Sequence, residues 1–160
     1  LNGEISCYDP LTNVHKDGIL DKSFYPARTS SDCIGNIKEI AVKIAEKTGL
    51  FGLLAIEFFI LDSGELIVNE MAPRPHNSGH FSMDASNTSQ FTQLILAVFG
   101  EKLGDVSFHS HGYMQNLIGD DVLELTKYEG DKNAKIHLYG KKEVKQGRKM
   151  GHINNITPQT

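Results

Sequence analysis

The chain has 160 residues, a formal net charge of −4, and ordinary shares of hydrophobic (39%) and charged (22%) residues. That is enough for one domain, or one with a small appendage. The acidic balance argues against general nucleic-acid binding, and no apolar run approaches the roughly 18 residues of a membrane span. No basic region followed by an apolar leader is visible. Cys7 and Cys33 lie far apart without metal-ligand spacing, which fits reduced thiols in a cytoplasmic protein.

The chain begins at Leu1 and enters a strand-like stretch at residues 4–8. This reading expects a segment of a longer protein. Residues 9–13 and 15–18 read as turn-rich, and residues 19–25 as a second short strand. Ser31 offers an N-cap, Asp32 complements the helix dipole, and Gly49 suits the residue after a helix. Between them Ile34, Ile37, Ala41, Ile44 and Ala45 recur at helical spacing. This helix is expected to cover the sheet that follows.

Residues 53–61 and 65–71 read as two apolar strands joined through Asp62-Ser63-Gly64. Each carries one acid, Glu57 and Glu70. A two-residue loop, Ser63-Gly64, sets Asp62 against Glu65 and Glu57 against Glu70, with Cβ atoms about 5 Å apart. Two bare carboxylates there repel, and a hard divalent cation such as Mg²⁺ would compensate. The alternative is that one acid points to solvent from an edge strand. A three-residue loop would shift the pairing by one and weaken the argument.

Residues 72–80, APRPHNSGH, form a poor packing segment dense in hydrogen-bonding groups. Arg74 offers a planar fork for carboxylate, bicarbonate or phosphate. Asn87 can cap a second helix whose apolar stripe is Phe91, Leu94, Ile95, Val98 and Phe99, ended by Gly100. The two Phe side chains read as core. A boundary near Gly104 separates residues 1–103 from a β-rich subdomain at 104–160. The latter has short strands at 112–118, 135–139, 143–145 and 151–156. Residues 141–149 hold five cations, Lys141, Lys142, Lys145, Arg148 and Lys149. They read either as a solvated face or as a phosphate clamp, with Gly147 allowing close approach. His76 and His80 are four apart, but Pro75 and Gly79 argue against a helix that would bring them together, and His109 with His111 lack a third ligand, so both are rejected as zinc sites.

The string VNEMAPRPHNSGH, with IEFF upstream and GRKMGHI near the end, closely resembles the 5-(carboxyamino)imidazole ribonucleotide synthetase family of ATP-grasp carboxylases. The resemblance runs along the whole chain and implies an α+β fold. It would be the C-terminal half of an ATP-grasp domain, an antiparallel sheet with covering helices, followed by the small β-rich subdomain. The implied reaction is purine-biosynthetic. ATP and bicarbonate give carboxyphosphate, whose carboxyl group passes to 5-aminoimidazole ribonucleotide, leaving ADP and phosphate.

The resemblance also implies roles. Glu57 and Glu70 would hold Mg²⁺, with His15, Asn69 and Glu70 at the nucleotide. Arg74, His76 and Asn77 would orient bicarbonate or its activated form, and Arg74 and Asn77 the substrate as well. Lys141 and Arg148 would grip the ribonucleotide, with Lys142 an alternative to Lys141. The parent is expected to be a homodimer with no membrane or nucleic-acid partner. Another ATP-grasp carboxylase or formate-activating ligase is the alternative within enzymes. The isolated segment is expected to be inactive, competent only for folding or association.

Overall fold

The computed structural model describes residues 3–159. Its strands and helices run β1 (Thr12–Lys16), β2 (Ile19–Tyr25), α1 (Ser31–Thr48), β3 (Ala55–Ile60), β4 (Leu66–Ala72), α2 (Ser82–Ala85), α3 (Gln90–Phe99), β5 (Ser110–Ile118), β6 (Ala134–Leu138) and β7 (Lys149–Pro158). Two 3-10 segments, Asn77–Gly79 and Gly119–Tyr128, interrupt the order. The class is α+β, as the sequence implied.

Five strands form one antiparallel sheet in the order β1-β2-β5-β7-β6, and β3 and β4 form a separate hairpin. The larger sheet runs across residue 104, because β2 pairs with β5. Leu20, Phe81, Ala85, Phe108 and Met114 make a core cluster, against which Tyr8, Leu11, Tyr25 and Ile156 pack. Among the described residues no helix is long and apolar enough to cross a membrane.

Several boundaries differ from expectation. Residues 4–8 form no strand; the first strand is Thr12–Lys16, in the stretch read as turn-rich. Asp17 (φ 52°) and Gly18 (φ 75°) both take positive φ, the conformation of a two-residue hairpin turn, which folds β1 back onto β2. Residues 143–145 form no strand either. Helix α1 is capped by Ser30, whose hydroxyl accepts from the Cys33 amide at 3.2 Å, rather than by Ser31. Helix α3 is capped by Ser89, which accepts from the Thr92 amide at 3.1 Å, rather than by Asn87.

The apolar stripe of α3 is the largest departure. Ile95, Val98 and Phe99 are 56%, 60% and 75% exposed, while the helix buries Gln90 and Gln93 instead. A cavity of about 1060 Å³ is lined both by Ile37, Ala41 and Val42 of helix α1 and by Ile56 and Phe58 of β3.

Candidate functional site

The hairpin aligns the two acids by a route the sequence did not show. Its loop has three residues, not two: the Leu61 amide donates to the Glu65 carbonyl at 3.0 Å. Gly64, at φ 84°, closes the turn by donating to the Leu61 carbonyl at 2.8 Å. That loop alone would set Glu57 against Asn69. A bulge corrects it: Phe58 pairs with Val68 but Glu57 pairs with Glu70, so Asn69 is the extra residue. Glu57 and Glu70 are thus directly opposed on one face. The Glu57 side chain is 13% exposed and that of Glu70 is 53% exposed.

The His76 imidazole lies between these carboxylates. Its Nδ1 is 3.6 Å from Glu57 Oε1 and its Nε2 is 3.7 Å from Glu70 Oε1. Ser78 Oγ sits 2.8 Å from the same Nδ1. The Asn13 amide donates to Glu57 Oε1 at 3.2 Å, and Ser23 Oγ donates to Asn13 Oδ1 at 2.7 Å, tying β1 and β2 to the hairpin. Lys149 also faces the acids. Burial pushes its ammonium below the usual lysine range, the nearby Lys141 adds to that, and the fields of Glu57 and Glu70 oppose it.

The residues singled out by sequence fall into four places. Glu57, Asn69, His76 and His15 line the large cavity, with His15 on exposed β1. The Asn77 side chain pairs with Asn116: Nδ2 donates to Asn116 Oδ1 at 2.9 Å and Oδ1 accepts from Asn116 Nδ2 at 2.7 Å. Lys141 donates its Nζ to the Lys149 carbonyl and lies 5.7 Å from the Tyr139 ring centroid. Arg74, Lys142 and Arg148 are exposed. Arg74 donates to the Pro75 carbonyl at 3.1 Å and Arg148 to the Glu143 carbonyl at 3.4 Å.

Beneath the loop lies a buried polar cluster. His152 stacks on His137 at 4.6 Å between ring centroids and sits 4.8 Å from His80. Its Nδ1 is 2.9 Å from the Tyr139 hydroxyl. Burial first, then neighbouring histidine and lysine charge, pushes His80 down to about 4. Burial and the His80 and His137 rings push His152 down to about 3. Burial pushes the Tyr139 phenol up to about 12, partly offset by a hydrogen bond from Asn77.

Asn13, Gln90, Asn116 and Lys149 were not singled out from the sequence. An isolated amide in a strand or at a helix start reads as surface. Lys149 was one cation among five. Asn116 follows Gln115 in β5, so it gave no distinct local signal.

A family model of the ATP-grasp domain matches residues 1–91, the part that carries the opposed acids. The chain belongs to the ATP-grasp family. A second model, the phosphoribosylaminoimidazole carboxylase C-terminal domain, matches residues 112–160. The ATP-grasp chain is 47% identical over 155 residues to an N5-carboxyaminoimidazole ribonucleotide synthase of Bacillus subtilis, covering 96% of this chain and 40% of that protein. Against the Brucella melitensis protein of the same name it is 45% identical over 159 residues, covering 99% and 44%.

Solved structures agree. An ADP complex of N5-carboxyaminoimidazole ribonucleotide synthetase matches with a TM-score of 0.89 and 38% identity, over 92% of this chain and 40% of that one. The Aspergillus clavatus N5-carboxyaminoimidazole synthase, in complex with ADP and 5-aminoimidazole ribonucleotide, gives 0.85 and 31%, over 92% and 42%. The ATP-grasp chain therefore spans 40–44% of the length of these curated relatives.

The donor set fits the Mg²⁺ that an ATP-grasp site implies. Two opposed carboxylates offer hard oxygens, and Mg²⁺ is commonly held by one or two carboxylates together with substrate phosphates and water. Among the described residues no group of three or more His, Cys, Asp and Glu side chains is placed to hold a metal without such help.

Proposed function

We propose that this segment belongs to an ATP-dependent carboxylase of purine biosynthesis. The enzyme would join bicarbonate to 5-aminoimidazole ribonucleotide through carboxyphosphate, releasing ADP and phosphate. The observation that carries the reading is the pairing of Glu57 with Glu70 around His76, with Glu57 and His76 lining the large cavity. The similarity to synthases along nearly the whole chain supports the choice of substrate.

Glu57 and Glu70 hold Mg²⁺, which when bound neutralises phosphate charge during transfer. ATP occupies the cavity, with His15 and Asn69 on its lining. Arg74 presents its guanidinium fork to bicarbonate or to the activated carboxyl group. His76 sits between the acids on the same loop, and Asn77 follows it. Lys141 and Arg148 grip the ribonucleotide phosphate, and Lys149 adds positive charge beside the acids. What the residues supply is position and charge. Transfer of this kind depends mainly on both. The parent enzyme is a cytoplasmic homodimer in this reading; the free thiols of Cys7 and Cys33 suit a reducing compartment.

The test is ADP release by the full-length protein that carries this segment. Release should require both bicarbonate and 5-aminoimidazole ribonucleotide, and Glu57→Gln should lower it by about 10²-fold. Turnover of glycinamide ribonucleotide in place of aminoimidazole ribonucleotide would overturn the substrate assignment. The isolated 160-residue segment should hydrolyse no ATP even with all substrates and Mg²⁺.

A further inference from the structure

We propose that Gln90 and Asn116 are positioning residues: two buried amides, from different elements, that grip consecutive residues of the loop and so set where the His76 ring sits. What the ring faces rests on the carboxylase reading above. The grip itself rests on geometry alone.

Gln90 is the first residue of α3 and is 5% exposed. Its Oε1 accepts from the His76 amide at 2.9 Å, and its Nε2 donates to the His76 carbonyl, also at 2.9 Å. The same Nε2 is 2.8 Å from His80 Nδ1. One side-chain amide thus satisfies both main-chain groups of His76 and braces the far end of the loop. Only an amide carries a donor and an acceptor in one plane for this purpose. A carboxylate lacks the donor, and a lysine lacks the acceptor. The loop is shaped around it, since a Cβ at Gly79 would come within 2.9 Å of Gln90 Oε1. The Gln90 main-chain amide is itself anchored, donating to Ser82 Oγ at 3.0 Å.

Asn116 performs the matching task on the next residue. It is fully buried on β5 and exchanges two hydrogen bonds with the Asn77 side chain, at 2.9 and 2.7 Å. Its Nδ2 also donates to the Leu20 carbonyl at 2.7 Å, fixing the loop to the core of the large sheet. The Asn77 carboxamide is held on both its nitrogen and its oxygen by protein. Asn77 therefore serves the anion by anchoring the loop, while Arg74 and His76 face it. Buried amides of this kind are held in place by their partners, because an unpaired buried donor or acceptor is costly.

With the backbone of His76 pinned and Ser78 beside Nδ1, the imidazole is directed between Glu57 and Glu70. Displacement of such a group by about 1 Å costs on the order of 10² in rate. The experiment uses the full-length protein with Gln90→Met and Asn116→Leu, which keep side-chain size and remove the amide. Each should lower kcat for bicarbonate-dependent ADP release by about 10–100-fold, with KM for ATP held within about twofold. Hydrogen exchange at the His76 amide should speed up at least about tenfold in Gln90→Met, because its partner is gone.

A folded Gln90→Met protein with unchanged kcat and unchanged His76 exchange would overturn the proposal. If Gln90→Met does not fold, Gln90→Glu keeps the acceptor for the His76 amide and loses the donor to its carbonyl. Unchanged kcat there would overturn it equally. If the unsubstituted protein releases no ADP with these substrates, the carboxylase reading falls, and the His76 exchange rates still decide the grip.

Discussion

In the five-stranded sheet Met114, Leu117, His152 and Ile153 are at most 1% exposed, whereas on the β3–β4 hairpin Phe59, Ile60, Ile67, Val68 and Met71 are 38–55% exposed. The exposed region is nonetheless the more apolar in sequence, AIEFFI and LIVNEMA in β3 and β4 against SHGYMQNLI and KMGHINNITP in β5 and β7. The sheet encloses side chains such as Met114 because Phe81, Ala85 and Phe108 pack onto its face. The hairpin has only two strands, and a two-stranded ribbon holds itself together weakly in water. Yet the hairpin carries the opposed acids. Its geometry is therefore held from outside, by polar contacts from Asn13 and by the His76 loop anchored at Gln90 and Asn116. The well-packed region and the region that carries the opposed acids are thus different, and hydrogen bonds such as Asn13 to Glu57 join them.

The sharpest way to break this comparison is a pair of truncations. Met114→Ala should cost about 2–5 kcal/mol of unfolding free energy, and Phe59→Ala less than about 1 kcal/mol. Denaturant titration of both variants measures the gap, and equal losses would show that the hairpin has a core of its own.

Acid should act next, and on the sheet side. His80 and His152 hold their protons less readily when folded, so the unfolded chain binds more protons below the ordinary value of 6.5. The stability they contribute is complete above pH 6.5 and is lost as pH falls from there toward about 4 and about 3. Melting temperature recorded across that window should decline, and His80→Asn should flatten the decline.

The smallest effect has the opposite sign for the two properties. Glu70→Gln relieves two like charges directly opposed across the ladder, worth a few tenths of a kcal/mol without metal. It should leave the metal-free protein as stable or slightly more so while depressing ADP release. A clear loss of stability would mean that the acids support the hairpin instead of straining it.

The residues proposed for the site cluster in sequence, and the structure brings Glu57, Glu70 and His76 together. Glu57, Glu70, Arg74, His76 and Asn77 lie within 21 residues. The facing of the acids was foreseen through a two-residue turn and is produced instead by a three-residue turn and a bulge. Alternation did not reveal the bulge, because Leu66-Ile67-Val68 is apolar on both faces and left no alternating phase for Asn69 to break. Periodicity found the stripe on α3 but could not say what faces it, and the structure leaves Phe99 and Val98 open. Thr12–Lys16 was missed because its strand is made by the Asp17-Gly18 turn and by pairing with β2, not by apolar residues of its own. Gln90 and Asn116 were silent for a related reason: their value lies in partners 14 and 39 positions away.

The unpaired Asn69 in β4 makes two roles separable. Since Asn69 and Glu70 together stand opposite Glu57, excising Asn69 alone restores a regular ladder in which the carboxylates still meet. Under the proposed carboxylase reading, such a deletion would remove the Asn69 carboxamide from the cavity lining and leave the Glu57–Glu70 pairing in place. A single codon would then tell the contribution of one from that of the other.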